Sequence, residues 1–164
     1  MYVYPSPFDF VLLTLPLALY IGQKMLKFIE DVHIPIRIAC ISESGYPMIV
    51  SLMYVYMDEK FFCATQGTSK LIKSLKRNSK CGFEIARDSP PYLGIRGYGK
   101  VTIIENSGEK ILRMLLQRYF EGKESSQLHK FLLSENHLKK EVAIVIDPIR
   151  IYEWDYTNRM KDLT

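Results

Sequence analysis

The feature that most constrains the fold is a series of strand-forming runs separated by turns of only a few residues. "IRIACIS" (Ile36–Ser42) and "PMIVSLMYVYM" are rich in β-branched and aromatic residues, and the intervening "ESGY" has the composition of a hairpin turn. "DEK" (Asp58–Lys60) is a second tight turn, which leads into a third run, "KFFCAT". Because such short connections join antiparallel neighbours, we predict an antiparallel meander.

The second half of the sequence predicts three more strands. Two of them are "CGFEIA" and "YLGIRGYGKVTIIE", and the third is "EVAIVIDPIRIYEWDY", interrupted at Pro148. Gly94, Gly97 and Gly99 predict bulges or a close backbone approach within the fifth strand. Strands and helices do not alternate as in βαβ units. We therefore predict a mostly β protein with peripheral helices, built on a six-stranded antiparallel barrel.

Helical periodicity appears in three segments outside the strands, besides the lysine-rich segment considered below. The first covers Lys24–Glu30. The next, "NSGEKILRMLLQRYFEG", has Asn106 and Glu109 at capping-box spacing and Gly122 at its end. A further helical piece is predicted over Ser125–Leu133. These helices would cover the outside of the barrel.

Length and composition fit one domain with a single core. The chain has 164 residues, of which 48% are hydrophobic. We assign residues 1–35 to an N-terminal apolar arm and helix, and residues 36–164 to the barrel. Lys and Arg outnumber Asp and Glu by only 22 to 18, which argues against a nucleic-acid-binding protein. Any anion site must therefore be local.

The three cysteines, Cys40, Cys63 and Cys81, lie in apolar runs and show no metal-ligand spacing. Their odd number and setting predict buried free thiols in a reducing compartment, so we expect a cytoplasmic protein. His33, His129 and His137 also lack metal-binding spacing, and we predict ordinary surface or core histidines and no metal site.

The N-terminal apolar run, Phe8–Gly22, is shorter than the roughly 20 residues that a spanning helix needs, and it contains Pro16. It also lacks the basic start of a signal peptide. We expect a packed arm or a dimer-contact helix, with a membrane-surface anchor as the alternative. Translation from Met25 is a third possibility.

The segment "TQGTSKLIKSLKRN" places positive charge directly behind a small polar turn. Leu71, Ile72 and Leu75 share one face of the predicted helix, which Thr68 or Ser69 would cap. Unpaired backbone N–H groups at a helix N-terminus attract anions, and Lys70 would add a full charge that the helix dipole alone disfavours. The segment thus predicts a phosphate site, and a solvated lysine face on a capped helix is the alternative.

The sequence has no nucleophile elbow and no cysteine beside an evident base, so a cofactor would have to carry any reaction. Aromatic residues are plentiful, and most belong in the core. Trp154 stands at the end of the last strand, where it could instead cover a planar ligand.

The order of these segments resembles the pyridoxamine 5'-phosphate oxidase-like family, the FMN-binding split barrels. The resemblance covers about residues 36–156. In that family a "DG-x-P" turn, a third strand ending in Thr, a "G-(S/T)-x-K" turn and a helix ending in "RNP" follow one another. The corresponding residues here are Ser44-Gly45-Tyr46-Pro47, Thr65, Gly67-Thr68-Ser69-Lys70 and Arg77-Asn78-Ser79. The "YLGIRGYGKVTIIE" segment and the closing strand with its tryptophan are similar as well.

The resemblance implies a split barrel of Greek-key type that binds FMN at a homodimer interface and acts on a small-molecule substrate. Lys70 would contact the phosphate together with the turn formed by Gly67, Thr68 and Ser69. The isoalloxazine ring would lie along the strand backbone near Val50, Ser51 and Leu52 and near Ala64 and Thr65, with Trp154 near the site.

Two departures from the family's pattern widen the alternatives. Met48 and Met53 replace the arginine and lysine of the oxidases, and Gly94 replaces their flavin-contacting glutamine. The resemblance therefore implies a flavoprotein, with a hydride- or electron-transferring oxidoreductase as the leading function and its catalytic residues unassigned. The alternatives are a non-catalytic protein that stores flavin or deazaflavin, and a haem-binding or cofactor-free interaction protein.

Overall fold

A computed structural model describes residues 21–161, so most of the apolar arm predicted over residues 1–35 lies outside the described residues. The helices are α1 (Gln23–Asp31), α2 (Lys70–Arg77), α3 (Gly108–Phe120), α4 (Gln127–Leu132) and α5 (Glu135–Leu138). The strands are β1 (Ile36–Ile41), β2 (Pro47–Leu52), β3 (Val55–Met57), β4 (Lys60–Gln66), β5 (Lys80–Ala86), β6 (Leu93–Ile104) and β7 (Glu141–Asp155).

All seven strands form one antiparallel sheet in the order β2-β1-β5-β6-β7-β4-β3. The two strands at its edges, β2 and β3, follow one another in the chain and are joined only through Met53 and Tyr54. The sheet must therefore curl until its edges meet, and β2 contacts β4 across the seam. No ladder of hydrogen bonds closes this seam within residues 21–161, so the barrel is split there.

The sheet has one strand more than predicted, because the second run breaks in two. Tyr54 is completely buried at the break, and its hydroxyl donates a 2.6 Å hydrogen bond to the Ile29 carbonyl at the end of α1. Its backbone N–H faces the Tyr119 hydroxyl of α3 at 3.4 Å. The Tyr119 hydroxyl takes the place of a ladder acceptor for the Tyr54 N–H, and after this break β3 pairs with β4 instead of β1.

Glycines let β6 and β7 cross at close range, as the sequence predicted. A Cβ on Gly97 would lie 2.2 Å from the Arg150 carbonyl oxygen, and one on Gly99 would lie 2.3 Å from that of Asp147. The pairing of the two strands shifts register between Tyr98 and Gly99. The bulge takes up the irregularity at Pro148, so β7 continues through it instead of stopping.

The core lies inside the barrel, and two helices contribute buried residues to it. Met25 and Ile29 of α1 are buried in the main cluster, as are Leu71, Ile72 and Leu75 of α2. Helix α3 packs its own buried row against β4 and β7. The three cysteines are buried free thiols, as predicted, and burial raises the pKa of each of them.

The predicted start of α3 was wrong. A short 3-10 turn covers Glu105–Ser107, the α-helix begins at Gly108, and no capping box forms. Gly122 ends the region with a φ of +73°. The predicted helix over Ser125–Leu133 is the shorter α4, and α5 was not foreseen, because four residues carry no periodicity. No helix among the described residues is long and apolar enough to cross a membrane.

Candidate functional site

The predicted anion-binding turn lies between β4 and α2 and is fixed by local hydrogen bonds. Gln66 ends β4, and its carbonyl oxygen accepts a 3.0 Å hydrogen bond from the Ser69 N–H. Ser69 is the N-cap of α2, and its hydroxyl accepts a 3.3 Å hydrogen bond from the Ile72 N–H. Ser69, one of the two predicted caps, is thus the cap, and Thr68 is exposed in the turn.

Three backbone N–H groups at the start of α2 are unpaired in the described part of the chain, and of their residues only Lys70 lines the cleft described below. Those of Thr68, Lys70 and Leu71 have no hydrogen-bond acceptor among residues 21–161. The Gly67 N–H is not among them, since it donates a 2.8 Å hydrogen bond to the Lys140 carbonyl. A Cβ at Gly67 would lie 3.1 Å from the Val142 side chain. Gly67 therefore seats the turn against β7 and offers no backbone donor to a ligand.

A cleft of about 310 Å³ opens between this helix end and the β1–β2 hairpin. It is lined by Lys70, Lys73, Ser74, Met48 and the hairpin residues Ser42, Glu43 and Ser44. Lys70 and Lys73 form no salt bridge with any other residue of the described chain. Lys76, one turn on, is instead paired with Glu105 at 2.9 Å. The two unpaired ammonium groups outweigh the single carboxylate of Glu43, so the cleft has a net positive charge.

The donors of the cleft suit a phosphate group. Unpaired amides at a helix N-terminus, lysine ammonium groups and serine hydroxyls are the groups that bind phosphates in proteins. Met48 adds no charge, but Lys73 lies one helical turn from Lys70 and supplies a second cation to the same cleft. Sequence reasoning missed Lys73 and the hairpin hydroxyls, because the approach of the hairpin to α2 is a tertiary contact that no local pattern records.

The predicted ring-contacting residues are only partly brought together. The two strands that carry them meet at the seam of the barrel. However, Val50 and Leu52 pack against the inner core, Ser51 is exposed on the opposite face, and Ala64 packs beneath α3. Thr65 is half-buried and pairs with Val142 of β7. Side chains alternate along strands, so the predicted residues cannot all face one ligand, and most of them could contribute only backbone atoms.

Trp154 does not join the turn within one protomer. It lies near the end of β7, whereas Glu141, the partner of Gln66, begins that strand. The 13 steps between them correspond to roughly 40 Å along an extended strand. Trp154 is half-buried on the outer face of the sheet, where the Arg96 guanidinium lies over its ring, 5.6 Å from the centroid.

The outer face around Trp154 is unusually apolar for an exposed surface. It carries two grooves of about 380 and 570 Å³ that share Ala39, Gly82 and Tyr98. Large apolar side chains stand exposed around them, namely Ile41, Tyr46, Ile49, Tyr98, Ile149 and Tyr152. Ile49 and Tyr46 are the most exposed, at 69% and 74%. Exposed apolar patches of this kind mark surfaces that contact another molecule.

A buried polar cluster lies directly behind the turn. The Glu141 side chain is only 4% exposed, and its Oε1 accepts a 2.5 Å hydrogen bond from the Gln66 side-chain amide. His137 Nε2 lies 3.2 Å from the same oxygen. Burial raises the pKa of the Glu141 carboxyl, while Gln66 and His137 act in the opposite direction. Sequence reasoning treated His137 as ordinary and did not single out Glu141 or Gln66.

No protein-family model matches the sequence, and no curated protein matches it either. Several solved structures, however, are similar to this chain. An F420 reductase is 16% identical and has a TM-score of 0.63, with 77% of this chain and 94% of the other covered. A putative pyridoxamine 5'-phosphate oxidase from Listeria innocua is 16% identical, with a TM-score of 0.59 and coverages of 79% and 94%.

A third similar structure is HutZ, the heme storage protein from Vibrio cholerae. It is 12% identical, with a TM-score of 0.61, and the match covers 79% of this chain and 92% of the other. At these identities the similarity establishes the fold, and the names of the three proteins refer to different chemistry. The resemblance found in the sequence is thus confirmed at the level of the fold: this chain has the split-barrel fold of the pyridoxamine 5'-phosphate oxidase-like proteins.

Proposed function

We propose that this protein is an FMN-binding flavoprotein and that the cleft between α2 and the β1–β2 hairpin holds the FMN phosphate. The observation that carries the proposal is the pair of unpaired lysines, Lys70 and Lys73, beside a helix N-terminus with free amides. A solvated lysine face, the alternative reading of the sequence, would place these side chains away from any cleft. The similar fold of a putative pyridoxamine 5'-phosphate oxidase supports the same assignment.

The flavin ring would be held between two copies of the chain. The outer face has exposed aromatic and aliphatic side chains around its grooves, which favours a self-complementary two-fold contact. Such a dimer would let Trp154 of one protomer approach a flavin whose phosphate is bound by the other. This arrangement reconciles the separation of Trp154 from Lys70 with a single cofactor site.

The bound flavin would supply hydride or electron transfer between a reductant and a small-molecule substrate. The chain itself would bind the phosphate, exclude water from one face of the ring and shape the substrate pocket. The cysteines do not suit a nucleophilic role, since burial raises the pKa of the Cys81 thiol to about 11 and that of Cys63 still further. The reaction would therefore depend on the cofactor.

A deazaflavin is the second candidate cofactor. It is favoured by the similarity to an F420 reductase. The similarity to HutZ keeps haem as a further alternative. A protein that stores the cofactor without catalysing a reaction would bind it in the same cleft.

The first test is the visible spectrum of the freshly purified protein, with mass spectrometry of any small molecule released by heat. We expect a flavin spectrum and the mass of FMN. The mass of a deazaflavin would identify a deazaflavin-binding protein, and a Soret band would identify a haem-binding protein. A protein that stays colourless after FMN is added would contradict the proposal.

The second test measures FMN affinity in a matched pair of lysine variants. Lys70→Ala removes a charged donor from the cleft, so we expect binding to weaken by about 1.5 to 3 kcal/mol, or roughly ten- to 150-fold. Lys76→Ala is the control, since Lys76 is on the same helix but is paired with Glu105 outside the cleft. Equal affinities for the two variants would rule out the phosphate assignment while leaving the fold intact.

A further inference from the structure

We propose that Glu141, acting through Gln66 and together with His137, is a positioning residue for the turn that binds the cofactor phosphate. The inference rests on the proposed function, because it concerns the same site. It adds three residues that do not touch the ligand cleft and that the family resemblance did not indicate. Their effect would be on the geometry of the turn rather than on its charge.

The connection runs through one residue that belongs to both parts. The side-chain amide of Gln66 donates to Glu141 Oε1 at 2.5 Å, and the backbone carbonyl of Gln66 accepts from the Ser69 N–H at 3.0 Å. Ser69 in turn caps α2. Fixing the Gln66 side chain therefore fixes the residue from which the turn departs, and with it the direction of the free amides.

The same end of β7 holds the turn at a second point. The Gly67 N–H donates to the carbonyl of Lys140, which directly precedes Glu141. Glu141 thus holds Gln66 through side chains, and the preceding residue, Lys140, holds Gly67 through the backbone. The turn has little freedom to rotate about either contact alone.

Glu141 is itself rigidly placed. A Cβ on Gly108 would lie 2.0 Å from the Glu141 carbonyl oxygen, so the first turn of α3 packs directly on this backbone. His137 approaches Glu141 Oε1 from α5, and the Phe131 ring lies 5.1 Å from the His137 ring. The Gln66 amide nitrogen is also 3.4 Å from His137 Nδ1.

Stability alone does not account for a buried carboxylate at this position. Removing a charged group from water is costly, and apolar replacements of buried polar clusters often leave a protein equally stable. What a carboxylate oxygen with two donors provides is direction, because hydrogen bonds fix a side chain at one angle whereas apolar contacts do not. A site that must aim several amides at one phosphate needs such fixed geometry.

The test compares FMN with riboflavin, which lacks the phosphate, by fluorescence titration of purified apoprotein. We expect the wild-type protein to bind FMN at least tenfold more tightly than riboflavin. In Gln66→Leu and Glu141→Leu, FMN affinity should fall at least tenfold while riboflavin affinity stays within about twofold. Glu141→Gln keeps an oxygen that accepts both hydrogen bonds, so it should retain the wild-type preference for FMN. Gln117→Leu, on the exposed face of α3, is the matched control.

Each result decides the question. If Gln66→Leu lowers FMN and riboflavin affinity equally, or keeps the wild-type preference, the positioning role is overturned even though the phosphate site stands. If Glu141→Leu does not fold, Gln66→Leu and Glu141→Gln still give the answer. A wild-type protein that binds FMN no better than riboflavin, or binds neither, overturns the proposed function and this inference with it.

Discussion

The two ends of β7 hold polar groups in opposite ways. At its start, Glu141 is buried and its carboxylate is satisfied by Gln66 and His137. At its end, Asp155 is paired with Lys24 of α1, whose side chain is 69% exposed, and with the Thr157 N–H at 2.8 Å. The same strand thus begins in a buried hydrogen-bonded cluster and finishes in an ion pair open to water.

The contrast shows where geometry is enforced in this fold. A buried polar group without its partner carries the full cost of desolvation, so its partners are held tightly. An exposed ion pair contributes little, since water and salt screen it and the side chains lose entropy by pairing. The end of β7 that lies next to the proposed phosphate site is the end where conformation is fixed.

The largest expected effect comes from substituting Gly108, which packs against the start of β7. Gly22, which lies near the other end of β7, is the comparison. A methyl group at Gly108 would overlap the backbone of Glu141 at 2.0 Å, so Gly108→Ala should destabilise the protein by about 3 kcal/mol despite alanine's better helix propensity. Gly22→Ala would meet only the Glu153 side chain, at 3.4 Å, and should cost less than about 1 kcal/mol. Urea unfolding of both variants measures the difference. Similar losses would remove the contrast between the two ends.

A second prediction concerns the pH dependence of the buried end. Burial raises the pKa of Glu141 above its ordinary value of 4.5, so the folded protein binds that proton more tightly than the unfolded chain does. Its contribution to stability therefore falls as the pH rises from about 4.5 through the folded-state pKa. Glu141→Gln lacks this proton and should gain stability relative to the wild type over that range.

Thermal unfolding of the wild type and Glu141→Gln from pH 4.5 to 8 checks this prediction. Because His137 Nε2 lies 3.2 Å from Glu141 Oε1, the same comparison is made in a His137→Gln background, which removes the imidazole from the difference. A difference in free energy that stays constant with pH would show that Glu141 titrates normally when folded.

The smallest effect is expected at the exposed end. Hydrogen bonds from Lys24 and Thr157 lower the pKa of Asp155 to about 2, so its stabilising effect is complete above its unfolded value of 3.8 and is lost as the pH falls towards 2. Because Lys24 is so exposed, Asp155→Asn should cost at most about 1 kcal/mol at pH 7, and less in high salt. A larger, salt-independent loss would mean that this end is as constrained as the other.

The sequence predicted the strands and α2 well because their signals are local. Alternation from Ile36 to Ile41 and the apolar row Leu71, Ile72 and Leu75 are patterns that burial imposes directly on neighbouring residues. The glycines of β6 were recognised for a similar reason, since only a close backbone approach explains several glycines in one strand.

What the sequence could not predict depends on contacts between distant segments. The break at Tyr54 follows from hydrogen bonds to Ile29 and Tyr119, which are far away in the chain. Lys73 became part of the candidate site only because the β1–β2 hairpin folds over α2. Glu141 and Gln66 are paired by the register of β4 and β7, which strand composition does not specify.

The position of β7 in the sheet bears on how the chain is made. It is synthesised after the other six strands of the sheet, yet it lies between β6 and β4 in the interior. Until its residues leave the ribosome, both neighbours have an unpaired edge, and the pairing of β4 with β7 spans about half of the chain. A chain that ends before Glu141 would keep the β1–β2 and β3–β4 hairpins and leave two open edges. We expect such a truncated product to aggregate, because the sheet is complete only when β7 has paired with both β6 and β4.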